Sequence, residues 1–295
     1  MSNLLDSLVE SDINQIVISA SGEDLSELVQ GYLSKLPVRY ILGEAGQIRQ
    51  KINGISALSK DLDWVIFSDD DLEFNFSFLS TLGDVLAEIP LDVLGVGLNL
   101  QINDYHHQSK TNKVIKKLFN LQYGKEGSVQ LNGECVSYMH SKKPIETYWL
   151  NGASVWRREI VDHYYSLFPE TRYAAYEDAF FSHTVSRKGK LLFLPDLSIQ
   201  YSGNGVQTTM SSSVFLAVNY WKILFVIHFK LSLKRSLVSI IGSTLIFLLS
   251  RSVTEPFRRK LPTVAHLSKI LLILIFTKNK LTFMLSIVTK ELRVE

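Results

Sequence analysis

The first third of the chain alternates short apolar runs with segments whose apolar residues have helical spacing. Three runs are predicted to be strands: "QIVISA" (15–20), "VRYILG" (38–43) and "WVIFSDDD" (64–71). The helical segments are "NLLDSLVE" (3–10), "EDLSELVQGYLSKL" (23–36) and "GQIRQKINGISALSK" (46–60). Strands that alternate with helices are typical of βαβ units, so we expect an α/β fold with a mainly parallel sheet flanked by helices.

The third strand runs into three consecutive aspartates, Asp69, Asp70 and Asp71. Three neighbouring like charges repel one another, and the repulsion is relieved if a cation binds among them. Ligands of open α/β sheets bind at the carboxyl ends of the strands, where these residues fall. Carboxylate oxygens suit Mg²⁺ or Mn²⁺, which also bind substrate phosphates. The alternative is an Asp-rich turn or helix cap.

A second group of candidate residues lies in "NGASVWRREIV" (151–161) and "YEDAFFSHTVSRKGKLLFLPD" (176–196). Glu177 and Asp178 fall in the first turn of a predicted helix, where the helix dipole favours carboxylates, so simple capping is the alternative to a catalytic role. Arg157 and Arg158 are either an anion clamp or a solvated helix face.

The charge of the chain is divided unevenly. Residues 1–212 hold 18 Lys and Arg against 26 Asp and Glu, a net −8, whereas residues 213–295 hold 13 against 3, a net +10. Such asymmetry indicates a nucleic-acid or membrane contact. The second part also contains apolar runs, which favour a membrane surface over nucleic acid. These runs, "SVFLAVNYWKILFVIHFK" (213–230), "SLVSIIGSTLIFLLSR" (236–251), "KILLILIF" (269–276) and "KLTFMLSIV" (280–288), are shorter than the roughly 20 apolar residues of a spanning helix or carry an internal charge.

We therefore expect residues 213–295 to form basic amphipathic helices that lie in the membrane interface. Trp221, Phe225 and Phe229 would reach toward the acyl chains. The residues expected to face anionic headgroups are Lys222, Lys230, Lys234, Arg235, Arg258, Arg259 and Lys260. The alternatives are core packing or oligomerisation, and a spanning hairpin around residues 236–250.

The single cysteine, Cys135, excludes an internal disulfide and fits a reducing compartment. The start "MSNLLDSLVESD" is acidic and lacks the basic and apolar regions of a signal peptide. We expect a peripheral protein at the cytoplasmic face of the plasma membrane.

The order of these motifs over residues 3–205 resembles glycosyltransferase family 2. The features shared with it are a strand ending in "DDD", a "GA" turn followed by "RRE", and "ED" followed by "RKGKLLFLPD". The resemblance implies a GT-A fold for residues 1–212 and transfer of a sugar, with inversion, from a nucleotide-sugar donor to a glycan or lipid-linked acceptor in bacterial surface polysaccharide synthesis. The "Gln-x-x-Arg-Trp" motif of processive synthases is absent, which favours transfer of one sugar per encounter.

The resemblance also implies roles for individual residues. Asp69 would contact the nucleoside, Asp71 would hold a divalent cation, Mn²⁺ or Mg²⁺, to which Asp69 also contributes, and Asp178 would act as general base beside Glu177. The remaining donor-binding candidates are Arg49, Lys51, Asn53, Asp70, Gly152 and Ala153.

Three features depart from the family pattern. The family's opening strand and its Pro-Thr-Tyr-Asn-like turn have no counterpart, Ser19 stands where an Asp contacting the base is usual, and Tyr201 replaces a metal-binding His. Two other functions fit the same residues. One is a non-catalytic, membrane-associated glycan-binding or scaffold relative; the other is a nucleotidyltransferase, although no Gly-rich phosphate loop is present.

Overall fold

The computed structural model describes residues 1–9, 11–101, 114, 116, 118, 119, 121, 124–164, 168, 174–201, 211–249 and 257–291. The described strands are β1 (Ile16–Ser21), β2 (Val38–Gly43), β3 (Trp64–Phe67), β4 (Leu72–Glu73), β5 (Val93–Gln101), β6 (Ile145–Thr147), β7 (Ser154–Arg157) and β8 (Lys190–Tyr201). The described helices are α1 (Ser2–Leu8), α2 (Ser26–Gln30), α3 (Gln47–Ser56), α4 (Phe76–Glu88), α5 (Arg158–Val161), α6 (Glu177–Val185), α7 (Ser212–His228), α8 (Leu233–Leu249), α9 (Phe257–Phe276) and α10 (Lys280–Glu291).

The main sheet has the strand order β3, β7, β5, β8, β4, with β6 also paired to β8. The two longest pairings are parallel, β5 with β8 and β1 with β2, whereas the four shorter pairings are antiparallel. β1 and β2 form a separate two-stranded sheet. The expected α/β fold is confirmed, with a mixed sheet whose long pairings are parallel.

β5 is the central strand and is buried from Val93 to Leu98, as its apolar sequence predicts. Its glycines make room for aromatic side chains. A Cβ on Gly95 would lie 2.6 Å from the ring of Trp156, so Gly95 allows that ring to lie flat against the strand. The strand therefore supports a large aromatic core on one face of the sheet.

Hydrophobic clusters cover both faces of the main sheet. One contains α1, α4 and residues of β1 and β5, such as Leu5, Phe78 and Val96. The other contains Trp156, Phe180 and Phe193 and extends into the C-terminal helices.

The structure corrects the expectation for the first C-terminal helix. In α7, Trp221 and Phe225 are fully buried, and Phe229 just after it is 4% exposed, so these side chains pack on the aromatic core and do not reach a membrane. Lys222 is also buried, where it forms an ion pair with Glu134 and donates a 2.7 Å hydrogen bond to Ser239 Oγ. Helices that are apolar on all sides are usually buried in the core, and α7 follows this rule.

Among the other basic candidates, Lys260 is buried and donates to the carbonyl of Phe247, whereas Lys230, Lys234 and Arg235 are exposed. The side chains of Arg258 and Arg259 lie outside the described residues. Within the described part of the chain, every helix is too short or too polar to cross a bilayer.

Candidate active site

The carboxylates of the acidic triplet lie at the carboxyl end of β3. β3 ends at Phe67, earlier than the sequence predicts, and Asp69, Asp70 and Asp71 follow in an exposed loop. Because β7 runs antiparallel to β3, with Ser154 opposite Phe67, the residues before β7 lie beside the residues after β3. A Cβ on Gly152 would accordingly lie 3.6 Å from Asp69 Oδ2. The pairing of β3 with β7 thus brings the aspartates after β3 next to the "GA" turn before β7, two features that the sequence had indicated separately.

The same kind of register places Tyr201 beside Asp71. Leu72 of β4 pairs with Tyr201 of β8, so the residue before β4 meets the end of β8. A side-chain hydrogen bond with Asp71 raises the pKa of the Tyr201 hydroxyl. The residue at the family's histidine position is therefore in contact with the expected metal-binding carboxylate.

The second carboxylate pair begins α6. Tyr176, which precedes Glu177, has a left-handed backbone with φ of 83°, a conformation that is unfavourable for a residue with a large side chain. Its hydroxyl donates a 2.5 Å hydrogen bond to the carbonyl of Gly133. A strained residue of this kind persists only where the surrounding structure holds it, and Tyr176 lies directly before Glu177 and Asp178.

Glu177 is 4% exposed and engages both of its carboxylate oxygens. Oε1 forms an ion pair with Lys51 Nζ from α3, and Oε2 accepts a 2.6 Å hydrogen bond from the Tyr164 hydroxyl. Lys51 also lies over the ring of Phe67, 5.5 Å from its centroid. These contacts bring the third strand, α3 and α6 together at one point.

The charges of the site shift the pKa values of its members. Desolvation alone would lower the pKa of Lys51, but the nearby charges of Glu177, Asp178 and Asp69 outweigh it and raise the pKa, so Lys51 is a cation at neutral pH. Partial desolvation raises the pKa of Asp69; Lys51 opposes this effect, and Asp71 adds to it.

Asp178 has the properties of a proton acceptor that works near neutral pH. Desolvation, followed by the charge of Glu177, raises its pKa to about 7, while Lys51 acts in the opposite direction. Its Oδ1 accepts a 2.7 Å hydrogen bond from the amide of Ala179, which fixes its rotamer. A carboxylate with this pKa takes a proton from a hydroxyl group more readily than an ordinary aspartate does.

A small cavity connects these groups. Its volume, including the open mouth, is about 200 Å³, and its lining residues are Lys51, Phe67, Asn151, Gly152, Ser154, Trp156, Tyr164, Glu177, Asp178 and Phe181. Ligand pockets typically measure roughly 300–1,000 Å³, so this space is smaller than a complete donor pocket even when its open mouth is included.

Four other predicted residues do not line the cavity. Arg49 forms an ion pair with Glu44. Asn53 lies against the end of β2, where a Cβ on Gly43 would be 2.7 Å from Asn53 Nδ2. Asp70 is exposed in the loop. The Ala153 side chain is buried in the core, so only its backbone could contact a donor.

Arg157 and Arg158 have neither of the roles considered for them. Arg157 stacks over the ring of Trp64 at 4.4 Å and donates to the carbonyl of Val93. Arg158 is 5% exposed, donates to the carbonyl of Ser59 and pairs with Asp162. Both side chains hold α5 and β7 to the body.

Sequence reasoning missed six residues that line the cavity: Phe67, Asn151, Ser154, Trp156, Tyr164 and Phe181. Asn151 donates its backbone N–H to the Tyr138 hydroxyl over 2.8 Å, which fixes the turn before Gly152. Asn151 precedes the "GA" turn and could have been found from that position. Tyr164 offers no comparable signal, because its role depends on a contact made only in the folded chain.

The donor atoms at the triplet fit a hard divalent cation. Asp69 and Asp71 supply carboxylate oxygens in the loop after β3, and partial burial raises the pKa of Asp69, with a smaller contribution from the charge of Asp71. Within the described ranges, no cluster of three or more His, Cys, Asp or Glu side chains is arranged to hold a metal. One or two carboxylates with substrate phosphates and water are a usual set of ligands for Mg²⁺.

Comparison with known proteins identifies the fold of the chain. No protein-family model matches the sequence, and no curated protein matches it. The structure is similar to that of S. aureus TarS 1-349, with a TM-score of 0.51 and 14% identity over 99% of this chain and 77% of that chain. For a longer S. aureus TarS structure the TM-score is 0.50 and the identity 16%, over 85% of this chain and 42% of that chain. A mannosyltransferase from Pyrobaculum calidifontis, in complex with GDP-Man and Mn²⁺, matches with a TM-score of 0.46 and 11% identity over 94% of this chain and 77% of that chain. The chain has a glycosyltransferase fold, with a mixed α/β architecture.

Proposed function

We propose that the protein is a glycosyltransferase of family 2 that moves one sugar from a nucleotide-sugar donor to an acceptor hydroxyl. The observation that carries the proposal is the position of Asp178, whose pKa is about 7, in a cavity that also contains Lys51 and borders Gly152. Gly152 in turn lies beside Asp69. A proton acceptor, a cation and an acidic loop are therefore adjacent, as sugar transfer from a nucleoside diphosphate requires.

In the proposed reaction, Asp178 accepts the proton of the acceptor hydroxyl as its oxygen attacks the anomeric carbon of the donor. The bond from that carbon to the diphosphate breaks at the same time, and the nucleoside diphosphate leaves. Because this is one displacement, the configuration at the anomeric carbon is inverted. Glu177 is engaged by Lys51 and Tyr164, so it positions Lys51 and is not the base.

Asp71 and Asp69 are the residues that would hold Mn²⁺ or Mg²⁺. A divalent cation bound there supplies charge neutralisation for the leaving diphosphate and orients it. Lys51 adds a fixed positive charge at the cavity, close enough to Asp69 to oppose the rise in its pKa. The triplet and Lys51 together would position the diphosphate.

Ser19, two residues before the end of β1, supports a nucleoside site beside that strand. Its Oγ is buried and has no hydrogen-bond partner among the described residues. Buried hydroxyl groups normally have a partner, so a polar atom of a bound donor would satisfy it. Ser19 stands near α3, since a Cβ on Gly54 would lie 3.6 Å from Ser19 Cβ. Arg49 and Asn53 of the same helix remain candidates for donor contacts.

We further propose a glycan or lipid-linked acceptor, in surface polysaccharide synthesis, and peripheral attachment to the cytoplasmic face of the plasma membrane through the helices in residues 213–295. Attachment would keep the site close to an acceptor that is confined to the membrane, which raises its effective concentration. Nucleic acid is not an expected partner.

The test is the release of nucleoside diphosphate from a panel of nucleotide sugars with Mn²⁺ or Mg²⁺. The variants Asp71→Ala and Asp178→Ala should each lose activity, whereas Asp84→Ala, which removes an exposed carboxylate on α4, should not. A wild-type chain that binds no donor would instead be a non-catalytic relative. Transfer of a nucleotide to a sugar phosphate would identify a nucleotidyltransferase.

A further inference from the structure

Helix α9 has apolar side chains on two opposite faces, and only one of them is covered. Leu267, Ile270 and Leu274 are 2%, 6% and 0% exposed and pack against the body. Leu261 and Leu272, on the outer face of the same helix, are 46% and 60% exposed. A helix at the surface of a protein normally carries polar residues on its solvent-facing side, so the exposed leucines of α9 require an explanation.

The exposure is greatest where α9 turns into α10. We name this region the α9–α10 corner and define it as residues 272–285. Its exposed apolar side chains include Leu272, Ile275 and Phe276, of which Phe276 is 84% exposed, and Leu281 and Leu285 continue the row on α10. Leu272, Ile275 and Phe276 are neighbours on the surface of α9, because residues three and four positions apart lie on the same side of a helix.

Exposed cations lie within and beside the corner. Lys278 is in the turn itself, Lys269 precedes it on α9 and Lys290 follows it on α10, and all three are exposed. Residues 213–295 contain only three acidic side chains, Glu255, Glu291 and Glu295, against 13 Lys and Arg. The exposed charged residues described within and beside the corner are therefore mostly lysines.

We infer that the α9–α10 corner binds the surface of an anionic lipid bilayer, with Phe276 and its neighbours among the acyl chains and the flanking lysines on the headgroups. Apolar side chains surrounded by basic ones are the pattern of interfacial membrane helices. A second copy of the chain would bring the same basic surface against itself, which charge repulsion disfavours. The inference deepens the proposed membrane attachment and places it on the corner, away from α7, whose apolar side chains are buried in the body.

The test is co-sedimentation of the full chain with vesicles of phosphatidylcholine alone or of phosphatidylcholine with phosphatidylglycerol. Wild type should sediment with the anionic vesicles, weakly with the neutral ones, and less as salt rises. The double variant Ile275→Ser, Phe276→Ser should bind at least ~fivefold more weakly, because it removes apolar insertion. Leu91→Ser is the matched control, because Leu91 is equally exposed at 84% but lies on the body before β5, and it should bind like wild type.

Lys269→Gln with Lys278→Gln should weaken binding to anionic vesicles and leave the weak binding to neutral ones unchanged. The inference is overturned if wild type fails to bind anionic vesicles, if the serine variant binds as wild type does, or if wild type forms dimers without lipid that the serine variant abolishes. Release of nucleoside diphosphate in vesicle-free solution should be the same for wild type and both corner variants. If a corner variant loses vesicle binding but still releases nucleoside diphosphate, the result bears on the corner alone. If no chain, including wild type, releases nucleoside diphosphate, the result bears on the proposed reaction alone.

Discussion

The Tyr164 hydroxyl donates a 2.6 Å hydrogen bond to Glu177 Oε2, and both side chains are buried. The other carboxylate oxygen of Glu177 is paired with Lys51. Glu177 is therefore held by two partners, whereas burial raises the pKa of its neighbour Asp178 to about 7. The roles of the two adjacent carboxylates differ because their contacts differ.

Replacing Tyr164 with Phe should raise the KM for the nucleotide sugar by about tenfold and destabilise the protein by about 1–3 kcal/mol, because Glu177 Oε2 loses its buried partner and Lys51 is held less firmly. Steady-state kinetics and thermal unfolding measure the two effects. Tyr220→Phe is the matched control, because the Tyr220 hydroxyl is buried without a partner in the described part of the chain and its loss should leave KM unchanged. An equal change in KM for both variants would refute the positioning role of Tyr164.

Replacing Glu177 with Gln should move the acid limb of the pH–rate profile to lower pH. The rate is expected to rise with pH as Asp178 loses its proton, with a midpoint near the pKa of about 7. The charge of Glu177 contributes to that raised pKa, so its removal lets Asp178 ionise at lower pH. A limb that stays in place, or that moves to higher pH, would contradict the assignment of Asp178 as base.

Replacing Asp178 with Asn should stabilise the protein above pH 7 while it abolishes transfer. The folded pKa of about 7 lies well above the ordinary value of 3.8, so folding favours the protonated form, and the native state loses stability as pH rises from about 4 through 7. At about 1.4 kcal/mol per pH unit between these two values, we expect a gain of up to about 4 kcal/mol at pH 8 and none below pH 4, measured by denaturant unfolding at both pH values. A variant that is less stable at pH 8 than wild type would show that the carboxylate is not destabilising there.

Replacing Asp71 with Asn should raise the Mn²⁺ concentration needed for half-maximal activity by at least ~tenfold, because a metal-binding carboxylate is lost while a hydrogen-bonding group remains for Tyr201. Asp70→Asn removes the same charge one residue away and serves as the control. The metal assignment fails if the two variants have the same Mn²⁺ dependence.

Replacing Trp221 with Ala should destabilise the protein by about 3–5 kcal/mol, because this side chain is fully buried in the core. Phe276→Ala, at a position that is 84% exposed, should change the stability by less than about 0.5 kcal/mol. The free energy of unfolding in the absence of lipid measures both. Similar values for the two variants would mean that α7 is not part of the core.

The sequence predicted the elements whose pattern is local. β2 occupies residues 38–43 as expected, and the aspartates follow β3, because alternation of apolar residues and the polar loop after a strand are both visible in a short segment. The pairing of β3 with β7 was not predicted, since it depends on contacts between residues about ninety positions apart.

Sequence-based prediction was wrong about which apolar and basic side chains are buried. Trp221 and Phe276 both lie in basic, apolar helices, yet one is fully buried and the other is 84% exposed. Composition does not show which face of such a helix meets the body. Arg158 was likewise weighed as a surface or anion-binding residue, whereas its contacts with Ser59 and Asp162 hold it inside.

Equilibrium binding of a panel of nucleoside diphosphates, titrated by calorimetry with and without Mn²⁺, tests the central claim most directly. The proposed site predicts that wild type binds at least one of them with Mn²⁺, that Asp71→Ala binds it at least ~tenfold more weakly, and that Asp178→Asn binds it like wild type although it cannot transfer sugar. The account is contradicted if wild type binds no nucleoside diphosphate, or if Asp71→Ala and wild type bind with equal affinity.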